Sequence, residues 1–294
     1  MTLPPPSQAS SQGPGPEKAP AARLGRLARR VATGVPLALA AGGLIWAGPG
    51  PFTALVLLFA LFGASEFYDL VERRGFRPAR RLGMAAAALA VLVAWRAGEA
   101  SLAQGVALLV ALTMAWFVLR GAEGPSPLVD GATTLLGFLY CGWLPAHLVL
   151  LRKVEATGGA GPGGAGLVAW LVVVCAATDI GAYFVGKALG RTKLCPRISP
   201  GKTLEGALGG LFAAMLLGWY LAGWLQIPPF HALVLAALGS VTAQVGDLWE
   251  SILKRDAGVK DSGHLLGSHG GVLDRFDSYL LVAPVSYLYV TWFM

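Results

Sequence analysis

Long apolar stretches separated by short polar connections dominate the chain. Nine of them approach the roughly 20 mostly apolar residues that a helix needs to cross a bilayer. They cover residues 32–48, 52–70, 82–97, 101–120, 130–151, 165–187, 204–226, 231–253 and 279–294. Several are rich in Gly and Ala, which suits close helix packing in lipid. The pattern predicts an all-α, polytopic integral membrane protein with about nine transmembrane helices.

Composition excludes an ordinary soluble enzyme. Of the 294 residues, 55% are hydrophobic and 13% are charged, whereas a typical soluble domain is about a quarter charged. The three cysteines lack CxxC spacing, so a disulfide framework or a structural zinc site is not expected.

The net charge of +7 is explained by membrane orientation. If the N-terminus is cytoplasmic, all but three of the 23 basic residues fall on the cytoplasmic side; the exceptions are Arg96, Arg152 and Lys153. This asymmetry predicts a cytoplasmic N-terminus and an external C-terminus. The positive charge then reflects orientation and attraction to anionic lipid, and nucleic acid is not expected as a partner.

The chain divides into three predicted parts. Residues 1–30 form a disordered basic tail, residues 31–160 the N-terminal transmembrane helices, and residues 161–294 a C-terminal transmembrane catalytic region. The Gly-rich stretch 157–166 is predicted to be a flexible external loop. No internal repeat is visible, which weighs against an inverted-repeat transporter.

Ionisable residues inside the predicted spans are candidates for function, because burying a charge in lipid is costly. Five acids are taken as candidates: Glu66, Asp69, Asp179, Asp247 and Glu250. Glu66 and Asp69 are equally consistent with an interfacial helix end that has arginine partners nearby. For Asp179 the alternative is a helix–helix hydrogen bond.

One face of the eighth predicted span is polar. Asp247, Glu250, Ser251 and Lys254 have the spacing i, i+3, i+4 and i+7, which places them together on a helix. A snorkelling amphipathic helix end is the alternative. The continuation of this polar face into the next segment favours a functional site.

The segment 251–277 combines basic residues with acids, histidines and glycines, more than a basic orientation loop requires. Asp274 and Asp277 share a helix face, and carboxylates in this arrangement suit Mg²⁺. The preceding His269, Gly270 and Gly271 would let backbone N–H groups approach a phosphate. Zinc is disfavoured because the spacing does not match a zinc site and no cysteine joins it.

A second polar cluster, residues 197–206, is predicted to begin a helix with Ser or Thr as its cap. Its GKT triplet is not a P-loop, because Pro196 occupies the required glycine position and no strand is predicted before it. Basic side chains at a helix N-terminus still make a phosphate site; orientation charge alone is the alternative. Together the two clusters predict a cytoplasm-facing polar pocket suited to phosphoryl or nucleotidyl transfer.

The segment 251–277 resembles the signature of the phosphatidate cytidylyltransferase (CDP-diacylglycerol synthase) family. The matching residues are Ser251, Lys254, Arg255, Lys260, Asp261, Gly263, His269, Gly270, Gly271, Asp274, Arg275 and Asp277. Segments 179–184, 199–206 and 246–251 are also similar to that family, so the resemblance covers about residues 170–294. Many members carry lysine in place of Gly201, and Pro-Gly in place of Gly267-Ser268.

The resemblance implies a reaction: the phosphate of phosphatidic acid attacks the α-phosphorus of CTP in a Mg²⁺-dependent step that gives CDP-diacylglycerol and pyrophosphate. It also implies an active site facing the cytoplasm in the cell membrane, in contact with membrane lipids, and a homodimer.

The same resemblance implies roles for individual residues. Asp247 and Asp274 would be the metal ligands, and Asp277 and Asp261 would serve a second cation or water-mediated contacts. Phosphate would be held by a larger set: Lys254, Arg255, Lys260, Arg275, Ser199, Lys202 and Thr203. His269, Gly270 and Gly271 would shape the turn before the helix that carries Asp274. Ser251 and Asp179 would also contact substrate.

Three other functions are weighed against this one. A transporter would place charged residues on both sides of the membrane midplane, whereas the acids here cluster towards one side. A CDP-alcohol phosphotransferase would carry a D-G-x-x-A-R run, which does not occur. An inactive scaffold would not need the intact set of acids and bases.

Overall fold

Helices form nearly all of the chain that the computed structural model describes, namely residues 36, 39–121, 126–155, 163–265, 267 and 270–294. The predicted tail, six residues of the first predicted span (32–35, 37 and 38), most of the Gly-rich loop and His269 lie outside these residues. Residues 41–294 make up one compact unit, which contains every element considered below.

Within the described residues from Pro49 onwards, nine α-helices and two short strands follow one another. The helices are α1 (Pro49–Arg73), α2 (Arg80–Arg96), α3 (Glu99–Leu119), α4 (Pro127–Phe138), α5 (Leu144–Arg152), α6 (Gly163–Leu189), α7 (Leu204–Ala222), α8 (Pro229–Asp256) and α9 (Leu273–Phe293). A π-helical turn, Leu139–Trp143, joins α4 to α5. Strands β1 (Lys193–Cys195) and β2 (Ser199–Thr203) lie between α6 and α7.

The chain is a multi-pass membrane protein. By length and composition, six helical segments of the described chain could cross a bilayer: α1, α3, the continuous α4–α5 segment, α6, α7 and α8. Helix α2 has 17 residues, and α9 carries Asp274, Arg275 and Asp277 in its first two turns. The count of nine spans and the orientation of the termini stay predictions.

The connection between α6 and α7 is a β-hairpin, and the expectation that no strand precedes the GKT triplet was wrong. Strands β1 and β2 pair antiparallel, with Lys193 opposite Thr203 and Cys195 opposite Ser199. Strands of three and five residues carry too little periodicity to predict. They form because pairing satisfies backbone groups that the helices leave unpaired.

The predicted cap of α7 is confirmed. Thr203 Oγ1 accepts a hydrogen bond from the backbone N–H of Gly206 at 3.1 Å, as an N-cap threonine does. In the first turn of the helix, the Glu205 carboxylate accepts the backbone N–H groups of Arg191 and Thr192 at 3.1 and 3.0 Å. The hairpin is therefore fixed to the start of α7 at both of its ends.

Helices α6 and α7 pack backbone to backbone, as the Gly/Ala-rich composition predicted. A Cβ at Gly210 would lie 2.6 Å from the Thr178 carbonyl oxygen, and a Cβ at Gly206 would lie 2.8 Å from that of Ala182. Small residues allow this close approach. This contact places the C-terminal part of α6 directly beside the hairpin.

We expect Gly210→Ala to destabilise the protein, because the added methyl group would meet a backbone carbonyl that cannot rotate away. Overpacking of this kind costs about 1–3 kcal/mol. The matched control is Gly105→Ala in α3, where an added Cβ meets nothing within 4 Å. The thermal unfolding midpoint in detergent should fall for Gly210→Ala alone; equal midpoints for both variants would contradict this packing.

Helix α4 holds both the end of α1 and the connection that follows it. The Tyr68 hydroxyl donates to the Thr134 carbonyl oxygen at 2.8 Å, and Thr134 Oγ1 accepts the backbone N–H of Ala79 at 2.8 Å. Asp130 Oδ1 accepts the backbone N–H of Arg77 at 2.7 Å. These bonds fix the position of the last turns of α1, which carry Glu66.

Candidate active site

Four helix ends meet at one side of the bundle: the C-terminal ends of α6 and α8 and the N-terminal ends of α7 and α9. They enclose two polar cavities. The first, here called the hairpin cavity, has a volume of about 440 Å³. Its polar lining residues are Asp179, Tyr183, Lys187, Lys202, Thr203, Gln244 and Asp247.

The second, here called the acidic cavity, has a volume of about 300 Å³. It is lined by Asp179, Asp247, Glu250, Lys254, Asp261, Asp274, Arg275, Asp277 and Ser278. Six of these nine residues are carboxylates. Asp179 and Asp247 line both cavities. The basic wall of the hairpin cavity therefore meets the carboxylates of the acidic cavity at these two side chains.

Asp247 links the two cavities by an ion pair. The Lys202 ammonium lies 2.5 Å from Asp247 Oδ2. Lys202 lies on strand β2 and Asp247 lies in the C-terminal half of α8. The ion pair therefore also joins the hairpin to that helix. Both side chains are about a third exposed, whereas the Lys202 Nζ atom itself is buried.

Lys254 sits between two carboxylates at the centre of the acidic cavity. Its ammonium lies 2.5 Å from Glu250 Oε2 and 2.6 Å from Asp274 Oδ1. The side chains of Lys254, Glu250 and Asp274 are 13%, 1% and 9% exposed. An ammonium has three donors, so one remains for a phosphate oxygen, as the resemblance implies for this lysine.

The position of Asp274 is set by the turn that precedes α9. Asp274 Oδ2 accepts the backbone N–H of Ser262 at 3.0 Å and that of Gly271 at 2.8 Å. The Ser262 hydroxyl oxygen also lies 3.1 Å from Asp274 Oδ2. A carboxylate in the first turn of a helix is stabilised by the helix dipole. The N–H of Gly271, predicted to approach a phosphate, is therefore engaged by Asp274 in this structure.

Glu66 reaches the same turn from the N-terminal half of the chain. It is 6% exposed, and its carboxylate accepts the Ser262 hydroxyl at 3.0 Å and the backbone N–H groups of Val272 and Leu273 at 2.9 and 2.8 Å. The expected arginine partner is found for Asp69, which pairs with Arg80 at 2.5 Å. The interfacial interpretation does not describe Glu66.

Helices α8 and α9 approach closely beside the acidic cavity. A Cβ at Gly246 would lie 2.5 Å from the Asp277 carbonyl oxygen. Asp277 Oδ1 accepts the backbone N–H of Ser278 at 2.6 Å. This close contact brings Asp247 and Asp277 to the same cavity, although they are 30 positions apart in sequence.

Six residues implied by the resemblance line neither of these two cavities: Ser199, Ser251, Arg255, Lys260, Gly270 and Gly271. Arg255 ties α8 to the hairpin, because it donates to the Ile198 carbonyl at 3.5 Å as well as to that of Val259 at 3.3 Å. Gly270 has a φ of +81°, a backbone conformation that favours glycine. His269 lies outside the described residues.

Three residues at or behind the site received no role from the sequence. The only sequence signal for Glu66 was a charge inside a predicted span. Glu250 had this signal and also lay on the polar face of the eighth predicted span. Tyr140 lies in the π-helical turn and is 2% exposed. Among the described residues, its hydroxyl and Glu250 Oε1 have no hydrogen-bond partner. Turns of this kind are frequent at functional sites.

The donor set of the acidic cavity fits a hard divalent cation. Its ligands would be carboxylate oxygens, which Mg²⁺ prefers, and Mg²⁺ binds through one or two carboxylates while waters and phosphate oxygens complete its shell. Across the described ranges, no three His, Cys, Asp or Glu side chains are gathered as a metal-binding group. Two of the carboxylates together with a phosphate would meet the coordination habit of Mg²⁺.

Comparison with known proteins gives consistent matches. The sequence profile described as the Cytidylyltransferase family matches residues 28–293. The phosphatidate cytidylyltransferase of Synechocystis is 36% identical over 272 residues, covering 81% of this chain and 88% of the relative. That of Bacillus subtilis is 33% identical over 278 residues, covering 90% and 98%. Phosphatidate cytidylyltransferase 5, chloroplastic, of Arabidopsis thaliana is 35% identical over 289 residues, covering 89% and 71%.

Proposed function

The chain belongs to the cytidylyltransferase family, and we propose that it transfers CMP from CTP to phosphatidic acid, giving CDP-diacylglycerol and pyrophosphate. The observation that carries the proposal is the pair of adjoining cavities, one with a basic wall and one with six carboxylates. The names of relatives that match most of the chain support the same substrates.

The proposed reaction is a displacement at phosphorus. An oxygen of the phosphatidic acid phosphate forms a bond to the α-phosphorus of CTP, and the bond between the α-phosphorus and the bridging oxygen of the β-phosphate breaks. Pyrophosphate leaves with that electron pair. The attacking phosphate is already anionic at pH 7, so no protein nucleophile is needed. Positioning and charge neutralisation then supply most of the rate enhancement.

The protein's residues would divide this work between the two cavities. Lys202 and Thr203, at the start of α7, would hold phosphate oxygens with a cationic side chain and a helix N-terminus. Lys254, with its third ammonium donor, would hold a phosphate from the acidic side. Arg275 lines the same cavity and would add a guanidinium suited to phosphate oxygens.

We also propose that Mg²⁺ is required and that Asp247 and Asp274 hold it. The ion would supply neutralisation of the charge on the phosphate oxygens. Both carboxylates line the acidic cavity. Asp261 and Asp277 line it as well, and they are the proposed residues for a second cation or for water-mediated contacts.

The proposed setting is the cell membrane, with both cavities opening to the cytoplasm and the acyl chains of the lipid remaining among the helices. This setting rests on the basic connections at the same end of the bundle as the cavities. The homodimer implied by the family resemblance is part of the proposal, and sedimentation of the detergent-solubilised protein tests it.

Pyrophosphate release by the purified protein in mixed micelles tests the proposed function. We expect pyrophosphate release only when CTP and phosphatidic acid are both present. When the cytidine of CTP is labelled, the lipid product should carry the label. Chelation by EDTA should abolish release, and added Mg²⁺ should restore it. Release from CTP without phosphatidic acid would contradict the acceptor, whereas activity that survives EDTA would contradict only the metal.

A further inference from the structure

We infer that Glu66 is a positioning residue for the acidic cavity: its carboxylate fixes the turn that places Asp274, without itself lining the cavity. The consequence for activity rests on the proposed function. Glu66 lies on α1, almost 200 positions before the turn, and its side chain is buried.

The carboxylate of Glu66 satisfies the start of α9. The first N–H groups of a helix have no partner within the helix, and here Val272 and Leu273 donate theirs to Glu66 Oε1 and Oε2 at 2.9 and 2.8 Å. A carboxylate at this position also interacts favourably with the helix dipole. Glu66 therefore caps α9 from a different part of the chain.

Ser262 connects Glu66 to Asp274. Its hydroxyl lies 3.0 Å from Glu66 Oε2 and 3.1 Å from Asp274 Oδ2, while its backbone N–H donates to Asp274 at 3.0 Å. Two carboxylates therefore converge on one buried serine. The placement of Asp274 beside Lys254 depends on this serine, and the placement of the serine depends on Glu66.

Two glycines make room for the Glu66 carboxylate. A Cβ at Gly263 would lie 2.7 Å from Glu66 Cδ, and one at Gly271 would lie at the same distance from Cδ. In both cases the added atom would also overlap a carboxylate oxygen. Both glycines belong to the signature segment, so part of that segment accommodates a residue from α1.

Glu66→Gln is the informative variant because it keeps the volume and changes the acceptors. A glutamine side chain has one acceptor oxygen where the carboxylate has two, so it cannot accept from both ends of the turn. Asp69→Asn is the matched control, since Asp69 lies three positions further along α1 and pairs with Arg80 at the surface.

Two measurements test the inference on the full-length protein. Hydrogen exchange without substrates should become faster in peptides covering 262–274 of Glu66→Gln, and should stay unchanged in α3 and α7. In the pyrophosphate assay kcat should fall about 10- to 100-fold, the usual effect of removing a residue that orients a ligand group, while KM for CTP changes little. Asp69→Asn should match the wild type in both.

Ser262→Ala keeps the inference testable if Glu66→Gln fails to fold, because it removes only the bridging hydroxyl. We expect a loss of several-fold in kcat, and no further loss when it is combined with Glu66→Gln, since contacting residues do not act additively. A kcat within twofold of wild type for either variant, or uniformly faster exchange in all helices, would overturn the inference. A wild-type protein without pyrophosphate release refutes the proposed function, and the exchange measurement still decides the role of Glu66.

Discussion

Asp247→Ala should reduce CTP- and Mg²⁺-dependent pyrophosphate release by at least about 10³-fold. Asp247 lines both cavities and pairs with Lys202, so its removal would affect the metal and the hairpin together. A bound divalent ion contributes several kcal/mol of charge stabilisation in the transition state, and each 1.36 kcal/mol is a factor of ten in rate.

The control for Asp247→Ala is Asp256→Ala, at the end of the same helix. Asp256 pairs with Arg74 at 3.1 Å, and both side chains are at least half exposed. An exposed pair of this kind contributes little to stability, so this variant should retain activity. Full activity of Asp247→Ala would refute its assignment as a metal ligand. Titration of Mg²⁺ should separate the two roles of Asp247, because loss of a ligand raises the concentration needed for half-maximal activity.

Lys254→Met should both destabilise the protein and lower its activity by about 100-fold. The ammonium lies between Glu250 and Asp274, which are almost completely buried. Removing one partner of a buried ion pair leaves an uncompensated charge and costs about 3–5 kcal/mol. Activity should fall because Asp274 loses the cation that orients it. The thermal unfolding midpoint in detergent measures the loss of stability, and the pyrophosphate assay measures the loss of activity.

A paired substitution separates the charge effect from lost packing. Glu250→Gln combined with Lys254→Met should recover part of the lost stability, because the buried negative charge is removed along with the cation. Lys193→Met on strand β1 is the control, since Lys193 is exposed and lines neither cavity. An unfolding midpoint of Lys254→Met equal to that of the wild type would show that the ammonium does not compensate the two carboxylates.

The sequence was sufficient wherever structure follows from neighbouring residues. Apolar stretches located the helices from α1 to α8 to within a few positions, with one stretch covering both α4 and α5. Helix α9 begins at Leu273, well before its predicted start at residue 279. The i, i+3, i+7 spacing correctly placed Asp247, Glu250 and Lys254 on one face, because a helix repeats every 3.6 residues. The cap of α7 at Thr203 was readable for the same reason, since the capping bond spans only three residues.

Contacts between distant segments were not readable. The hairpin depends on pairing between strands too short to carry a periodic signal. Glu66 and Asp69 are three positions apart with the same chemistry, and only the packing of α1 against α9 makes one a buried cap and leaves the other at the surface.

By itself, the sequence determined that this protein is a bundle of membrane helices with its acids and bases gathered near the ends of the last helices. These properties follow from hydrophobicity and local spacing. The tertiary structure decided which charges meet: Lys202 with Asp247, Lys254 with Glu250 and Asp274, and Glu66 with the turn before α9. Those pairings depend on how closely glycines let the helices approach, and that distance is a property of the packed bundle.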